Sequence, residues 1–458
     1  MRPSTSSRLA AATLAATVGF VAPASADNKQ VTIVGGYTGD AIVENAGDPT
    51  YAPSAVTPGQ IFGTNSFALY QAGTPNISNN AGTTAVPANT GLRPSGRYVV
   101  PVDGELVRVQ LPAYTADNVA RMTAASPATT LQFAADAQTA YRRVWLVANG
   151  DSGSPTVSIT YNFAGGSNET VAGVTVPDWF NTGTGQFAVG AGRVGDPFGS
   201  ATAPTFSGTD TTGASGARLF ALPVTISAAN QNKVVQSVTV TRTGGTSANS
   251  AAMAFGLVGD PTASGRLLTQ GATAVGVQVT GGAIAVAAAG TSGNAYPAAE
   301  SPDKVVDGST ATKYLNFGKL NTGVVLTPAG NPGDRSIVTS LSVMAANDTP
   351  ARDPIDYVLM GSKVAGSTTF GDYTTIASGT LDLPTDRFTW SDAAFANSQQ
   401  YASYLVYFPN VRDASTNSMQ VSEIQLFGTA VVPEPSAAAA LLFPAGLLLA
   451  RRRRRAAR

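Results

Sequence analysis

Residues 156–163 read TVSITYNF and alternate strictly between polar and apolar side chains. Valine, isoleucine, tyrosine and phenylalanine fall on one face of an extended chain, and serine, threonine and asparagine fall on the other. A period of two is the pattern of a β-strand that buries one face against a core. This stretch therefore predicts one strand of a sheet with a single buried face.

Short β-branched runs of this kind recur on both sides, separated by glycine, asparagine, aspartate and proline. They include RYVVPV (97–102), ELVRVQLP (105–112), YRRVWLVAN (141–149), KVVQSVTVTRT (233–243) and YASYLVYFPN (401–410). Within YRRVWLVAN, Tyr141, Val144, Leu146 and Val147 predict a buried central strand. Long segments of helical period are absent between the chain ends, so the sequence predicts an all-β fold of two tandem β-sandwiches.

The stretch 431–458 combines three features in a fixed order. A Pro-Glu-Pro triplet comes first, an apolar run follows at 437–450, and five arginines close it at 451–455. The prolines keep the segment before the apolar run from forming a helix. The apolar run can enter a bilayer, and the arginines prefer the cytoplasmic side of the membrane. About 15 helical residues reach about 22 Å, less than the about 30 Å of a bilayer core. The pattern predicts a short apolar helix and a temporary anchor.

This arrangement resembles the PEP-CTERM sorting signal of Gram-negative bacteria. The resemblance implies that a membrane-embedded exosortase cuts near the triplet and releases the protein outward. The residues of the sorting motif would be Pro433, Glu434, Pro435, Arg451, Arg452 and Arg453. A plain C-terminal membrane anchor is the alternative, and it has the same topology.

Residues 1–26 are predicted to form a helical signal peptide, with Arg2 and Arg8 before an apolar core at 9–21. Ala-Ser-Ala at 24–26 is a cleavage site that leaves Asp27 as the first mature residue. An N-terminal transmembrane helix is the less favoured alternative, because the apolar run is short. Both chain ends predict export, transient anchoring in the inner membrane, and then a cell-surface or extracellular location.

The charge balance of 28 basic and 28 acidic residues changes once the two ends are removed. Two arginines leave with the signal peptide, and six arginines and one glutamate leave with the tail. The remaining 20 basic and 27 acidic residues, a net charge of −7, argue against a nucleic-acid partner. The absence of cysteine and histidine excludes disulfides, histidine-dependent triads and the usual zinc sites. Carboxylate chemistry of the glycosidase kind remains, or no catalysis.

The segment VPDWF (176–180) and the order of strands around it resemble galactose-binding-like β-sandwich modules over residues 96–260. Asp178, Trp179 and Phe180 suggest a sugar platform. We favour the alternative, in which the two aromatic residues plug the end of the sandwich and the aspartate caps a turn.

The segments VDGSTATKY (306–314) and SEIQLFG (422–428) resemble the F5/8 type C (discoidin) family. That resemblance implies a structural calcium ion, since oxygen ligands suit calcium. Its ligands would be Asp307, Thr312 and Glu423 through side chains, with Ser309 and Lys304 through carbonyl groups. In the alternative, Asp307 only forms an Asp-Gly turn and Glu423 only faces solvent.

The polar loop 346–357 is the predicted position for contacts to a sugar. The candidate side chains are Asn347, Asp348, Arg352 and Asp353. We favour the alternative, a surface network of Arg352 with Asp353 or Asp356, and expect Tyr314 and Phe317 to pack in the core.

These patterns divide the chain into six parts. They are a signal peptide (1–26), a loop-rich start of the first domain (27–95), a galactose-binding-like sandwich (96–260), a linker with the first strand of the second domain (261–290), a discoidin-like sandwich (291–428) and the sorting signal (429–458). The sequence predicts a non-catalytic surface or matrix protein that adheres to extracellular polysaccharide. The alternatives are a carboxylate-based glycosidase and a structural spacer without ligand.

Overall fold

The computed structural model describes residues 27–43, 67–72, 78–79, 91–195, 205–206, 216–262, 265–330 and 334–431. The predicted signal peptide (1–26) lies outside these residues. The predicted sorting signal (429–458) also lies outside them, except for residues 429–431. Strands make up 52% of the structure and helices 5%, which confirms the all-β prediction. No helix among the described residues is long and apolar enough to cross a membrane.

The strands follow one another in two groups along the chain. The first group is β1 (Lys29–Gln30), β2 (Ile33–Gly35), β3 (Ile42–Val43), β4 (Phe67–Tyr70), β5 (Ser78–Asn79), β6 (Arg97–Val102), β7 (Glu105–Gln110), β8 (Ala120–Met122), β9 (Ala128–Phe133), β10 (Thr139–Asp151), β11 (Thr156–Phe163), β12 (Asn168–Thr175), β13 (Gln186–Phe187), β14 (Val194–Gly195), β15 (Thr205–Phe206), β16 (Leu219–Thr225), β17 (Val234–Gly244) and β18 (Ala251–Pro261).

The second group begins immediately after this. It is β19 (Arg266–Leu267), β20 (Thr273–Thr280), β21 (Ala283–Val286), β22 (Ala288–Ala289), β23 (Ala295–Tyr296), β24 (Tyr314–Asn316), β25 (Thr322–Thr327), β26 (Arg335–Met344), β27 (Asp356–Ser362), β28 (Tyr373–Thr380), β29 (Trp390–Ala394), β30 (Ser403–Phe408), β31 (Met419–Val421) and β32 (Glu423–Val431). Short 3-10 helices lie at Ala135–Ala137, Ala298–Glu300, Pro302–Val305, Pro350–Arg352 and Phe370–Asp372.

The long strand β10 organises the first domain. It pairs antiparallel with β16 and β18 in one layer, and its first two residues pair with β17 in the next layer. In that second layer β17 lies between β9 and β11. A register shift between Tyr141 and Arg143 accompanies the passage of β10 from one layer to the other. The two layers enclose an apolar core between them.

Strand β10 is buried on both faces, as its composition predicted. Tyr141, Val144 and Leu146 pack in the core between the two layers. Trp145 and Val147 point to the opposite side, into a second core. The hairpin of β6 and β7 covers that second core, so the first domain has three layers around the sheet that contains β10.

The second domain is a sandwich of a four-stranded sheet, in the order β19-β32-β26-β29, and a six-stranded sheet, in the order β21-β20-β25-β30-β27-β28. An apolar core lies between the two sheets and includes Tyr314 and Leu359. The short strand β19 already pairs with β32, so the second domain begins at Arg266. Its last strand extends to Val431.

The two domains meet where the β6–β7 hairpin packs against the outer face of the four-stranded sheet. Ile424 and Leu426 of β32 point into the core of the second domain. Because side chains alternate along a strand, Glu423, Gln425 and Phe427 face the first domain. The same alternation in β26 directs Ser340, Ser342 and Met344 toward the first domain.

A buried arginine joins the domains at this junction. Arg108 of β7 is 1% exposed, and it donates hydrogen bonds to Asp27 at 2.5 Å and to Asp392 of the second domain at 2.7 Å. The hydroxyl of Ser340 donates to the other carboxylate oxygen of Asp27 at 2.9 Å. The guanidinium carbon of Arg108 lies 5.0 Å from the centroid of the Phe427 ring. Asp27, the predicted first mature residue, therefore contacts both domains.

An apolar contact completes the junction. Leu106 of β7 packs with Met344 of β26 and Trp390 of β29, and Val99 of β6 lies partly buried beside them. Burial of such side chains stabilises the docked arrangement by roughly 25 cal/mol for each Å² of apolar surface removed from water.

We expect Arg108→Leu to lower the free energy of unfolding by about 3–5 kcal/mol, because Asp27 would stay buried without its cation. Urea unfolding followed by tryptophan fluorescence measures the change. Lys29→Ala is the matched control, since the Lys29 ammonium lies 3.7 Å from Asp27 but its side chain is 53% exposed. Exposed pairs contribute about 0–1 kcal/mol. Equal unfolding midpoints for Arg108→Leu and wild type would contradict the role of this pair.

Candidate functional site

The loop 306–313 follows a 3-10 helix, Pro302–Val305, whose last residue is buried in the core of the second domain. Asp307 forms the predicted Asp-Gly turn. Its carboxylate accepts hydrogen bonds from the Ser309 amide at 3.0 Å and from the Thr312 hydroxyl at 2.8 Å. Gly308 has a φ of 74°, a conformation that favours glycine. The turn thus arranges several oxygen atoms on one side of the loop.

Glu423, at the start of β32, reaches this loop from the other end of the domain. Its Oε1 accepts hydrogen bonds from the amides of Gly308 at 2.9 Å and Ser309 at 3.2 Å. The residue is only 2% exposed, so it does not face solvent as the alternative interpretation of the sequence supposed. The structure therefore brings together Asp307, Ser309, Thr312 and Glu423.

The carboxyl groups of Asp307 and Glu423 are neighbours, because both accept a hydrogen bond from the Ser309 amide. Burial and then the adjacent Asp307 carboxylate raise the pKa of the Glu423 carboxyl, which is about 9 although the two backbone amides act in the opposite direction. A buried pair of like charges favours either a proton or a cation between them.

The oxygen donors of this site fit a calcium ion in their chemistry. Asp307 and Glu423 offer carboxylates, Thr312 offers a hydroxyl, and the Ser309 carbonyl points toward that hydroxyl at 3.1 Å. Within the described residues no group of three or more His, Cys, Asp or Glu side chains is arranged around a metal site. Hydroxyl and carbonyl oxygens would therefore supply the remaining ligands. Lys304 is a competing cation, with its ammonium 3.8 Å from Asp307.

A charged cluster beside the loop was not identified from the sequence. Lys313 is 8% exposed, and its ammonium lies 2.7 Å from Asp348 and 3.5 Å from Glu300. Gln420 is buried next to it and accepts from the same ammonium at 3.5 Å. Lys313, the basic residue after Thr312, was the sequence signal for this cluster. Its partners could not be identified from the sequence, because they come from other segments of the chain.

The predicted sugar-contact residues separate into two groups. Asn347 is exposed, and Asp348 and Arg352 are half-buried and paired at 3.4 Å. Asp353 is fully buried and accepts two hydrogen bonds from Arg387, each at 2.6 Å. Its carboxylate is therefore not presented to solvent. The expected partner of Arg352 in a surface network also differs, because it is Asp348 rather than Asp353 or Asp356.

The segment around Trp179 has the structural role that we favoured. Trp179 is 3% exposed and packs in the core beneath the β6–β7 hairpin, with Phe180 partly buried against the same core. Asp178 accepts hydrogen bonds from the amides of Phe180 at 3.0 Å and Gly153 at 2.8 Å, as a turn cap does. Tyr314 is also buried as expected, whereas Phe317 is only partly buried.

No family model and no curated protein matches this chain. Among solved structures, similar ones include a family 32 carbohydrate-binding module from Clostridium perfringens NanJ in complex with galactose, at 11% identity, covering 35% of this chain and 97% of that one, with a TM-score of 0.25. A family 62 carbohydrate-binding module from Clostridium thermocellum has 21% identity, covers 36% of this chain and 99% of that one, and has a TM-score of 0.25.

A fucolectin from striped bass (Morone saxatilis) serum has 8% identity, covers 70% of this chain and 88% of that one, and has a TM-score of 0.24. At these identities and TM-scores, the function of this chain has to be argued from its own residues.

We expect the stability of the metal-free protein to fall as pH rises between about 4.5 and 9, by up to about 1.4 kcal/mol for each pH unit. The pKa of Glu423 is higher in the folded protein than in the unfolded chain. The unfolded chain therefore loses this proton at a lower pH than the folded protein, and the folded state becomes relatively less stable as pH rises between the two pKa values. Glu423→Gln keeps the oxygen acceptor and should remove this slope. Urea unfolding in EDTA at a series of pH values measures it.

Glu169→Gln is the control for this experiment. Burial raises the pKa of Glu169, but hydrogen bonds from Asn230 and Ser227 outweigh this and leave it below its ordinary value. Its contribution to stability is lost only as pH falls through that lowered pKa, so the slope at higher pH should remain.

Millimolar calcium should raise the melting temperature of wild type at about pH 8 and should not raise that of Glu423→Gln. Equal melting temperatures with EDTA and calcium would contradict a metal centre.

Proposed function

We propose that this chain is an exported, non-catalytic protein of the cell surface or extracellular matrix that adheres to polysaccharide through its second domain. The observation that carries this proposal is the polar surface formed by Asn347, Asp348 and Arg352. An amide, a carboxylate and a guanidinium together offer donors and acceptors for sugar hydroxyl groups. Asp348 is held in place by its ion pair with Lys313 at 2.7 Å.

We further propose that Asp307, Ser309, Thr312 and Glu423 hold a structural calcium ion. Such an ion would join the loop 306–313 to the last strand of the domain. Since Lys313 follows the loop directly, the ion would also support the position of Asp348 and of the sugar-contact surface. It has no catalytic role in this proposal.

The proposed route to the cell surface is supported by the sequence patterns at the two chain ends. Exosortase and, transiently, the inner membrane are the partners that the resemblance of residues 431–458 implies. The net charge of −7 between the predicted cleavage sites argues against a nucleic-acid partner.

The glycosidase alternative has less support from the carboxyl pair. Retaining glycosidases place their two carboxyl groups about 5–5.5 Å apart, and inverting enzymes place them about 6.5–9.5 Å apart. Asp307 and Glu423 both accept a hydrogen bond from the Ser309 amide, at 3.0 and 3.2 Å, so the two carboxylates converge on one backbone group and do not face each other across an open cleft. This pair favours a binding role over a hydrolytic one.

Fractionation of a culture of the source cells tests the sorting proposal. Wild type should appear outside the inner membrane without its tail, and a variant with alanine at Pro433, Glu434 and Pro435 should stay in the membrane fraction. Pro444→Ala is the control within the same tail and should be released like wild type. Release of the triple variant, or full-length protein in the cytosol, would contradict exosortase sorting.

A glycan array with the mature chain tests adhesion. Arg352→Ala should weaken binding to the recognised glycan about tenfold, because it removes charged hydrogen-bond donors. Lys363→Ala, a change of an exposed cation elsewhere in the domain, should leave binding unchanged. An array without any signal would favour the spacer alternative, and release of reducing sugar would favour the enzyme.

A further inference from the structure

A cavity of about 500 Å³ lies between the two domains. The β6–β7 hairpin supplies one wall through Gly104 and Leu106. The second domain supplies the opposite wall, which includes Thr269, Gln270 and Gln425. Pockets of about 300–1,000 Å³ are typical of small-molecule sites. The cavity is separate from the loop surface of Asn347 and exists only where both domains are in place.

Two neighbouring polar side chains lie at this wall: Gln425 is in its lining, and Ser342 is beside Gln425 on the adjacent strand. Gln425 is 5% exposed, and its side chain lines the cavity. Ser342 lies opposite Gln425 in the β26–β32 pair, and its buried hydroxyl has no partner among the described residues. Nearly all buried polar groups in proteins are hydrogen-bonded. A molecule in the cavity would meet the side-chain amide of Gln425, which carries both a donor and an acceptor, beside the unpartnered hydroxyl of Ser342.

The chemistry of the walls restricts the class of that molecule. The amides of Gln270 and Gln425 and the hydroxyl of Thr269 are uncharged hydrogen-bonding groups, and Leu106 and Leu267 provide apolar contacts. No lysine or arginine lines the described part of the cavity, and its two carboxyl groups are those of Asp307 and Glu423, the proposed calcium ligands. The walls therefore offer no basic side chain to pair with an anionic ligand. A pyranose ring has both hydroxyl groups and apolar C–H faces, which match these walls.

We propose that this interdomain cavity is a binding site for an uncharged sugar residue. Gln425 and Gln270 hydrogen-bond the hydroxyl groups, and Leu106 and Leu267 cover the C–H faces. Leu106 belongs to the first domain and the other three residues to the second, so an occupied site also holds the domains together. The proposal shares only its ligand class with the loop surface, and it stands if that surface binds nothing.

The test uses the mature full chain and measures binding of galactose, glucose, N-acetylglucosamine and fucose by saturation-transfer NMR, with glucuronate as the anionic comparison. For the sugar that binds, Gln425→Leu and Gln270→Ala should each raise the dissociation constant about fivefold to tenfold. Arg352→Ala, in the loop surface, should leave this constant unchanged. Gln270 is exposed, so its variant remains informative if Gln425→Leu folds poorly.

The outcomes separate this inference from the proposed function. Loss of binding in both cavity variants but not in Arg352→Ala supports the cavity site. Loss of binding only in Arg352→Ala overturns it and leaves the loop surface as the sugar site. Absence of binding by any neutral sugar, or equal binding of glucuronate, also overturns it.

Discussion

The arrangement of the two domains depends on the ion pairs of Arg108. A buried guanidinium loses its hydration, and two carboxylates from different parts of the chain offset that cost. Burial lowers the pKa of Arg108, but Asp392 and Asp27 raise it more, so the side chain stays charged inside the junction. Asp27 also accepts a hydrogen bond from Ser340. The start of the described chain, the β6–β7 hairpin and the second domain are thereby held in one arrangement, and the interdomain cavity is a consequence of it.

A protein without cysteine needs other means to join distant segments. In the first domain, β10 does this by burying side chains in two cores, one on each face. In the second domain, Glu423 accepts hydrogen bonds from the backbone of residues more than 100 positions earlier. The hydrogen bonds from Gly308 and Ser309 join a loop in the first half of the domain to its last strand. The same atoms that join them form the candidate metal centre, so stability and ligand chemistry are coupled there.

Burial decided between interpretations that the residue types left open. Trp179 has the character of a sugar platform in sequence, but it packs in the core. Asp353 lies in a polar loop beside Asn347, yet it is fully buried against Arg387. Glu423 was open to either interpretation and is buried beside Asp307. In each case the deciding contact comes from a segment far away in the chain, which local periodicity does not report.

The sequence by itself determined the class of fold, because side-chain alternation in stretches such as 156–163 fixes which face of a strand is apolar. It also paired Asp307 with Glu423, through a resemblance between two short motifs. Only the tertiary structure decided how the domains dock and which polar residues lose contact with water. Gln425 and Arg108 have the alternation of ordinary solvent-facing residues, and they are buried because the other domain covers them. A pattern along one strand carries no information about what covers its outer face.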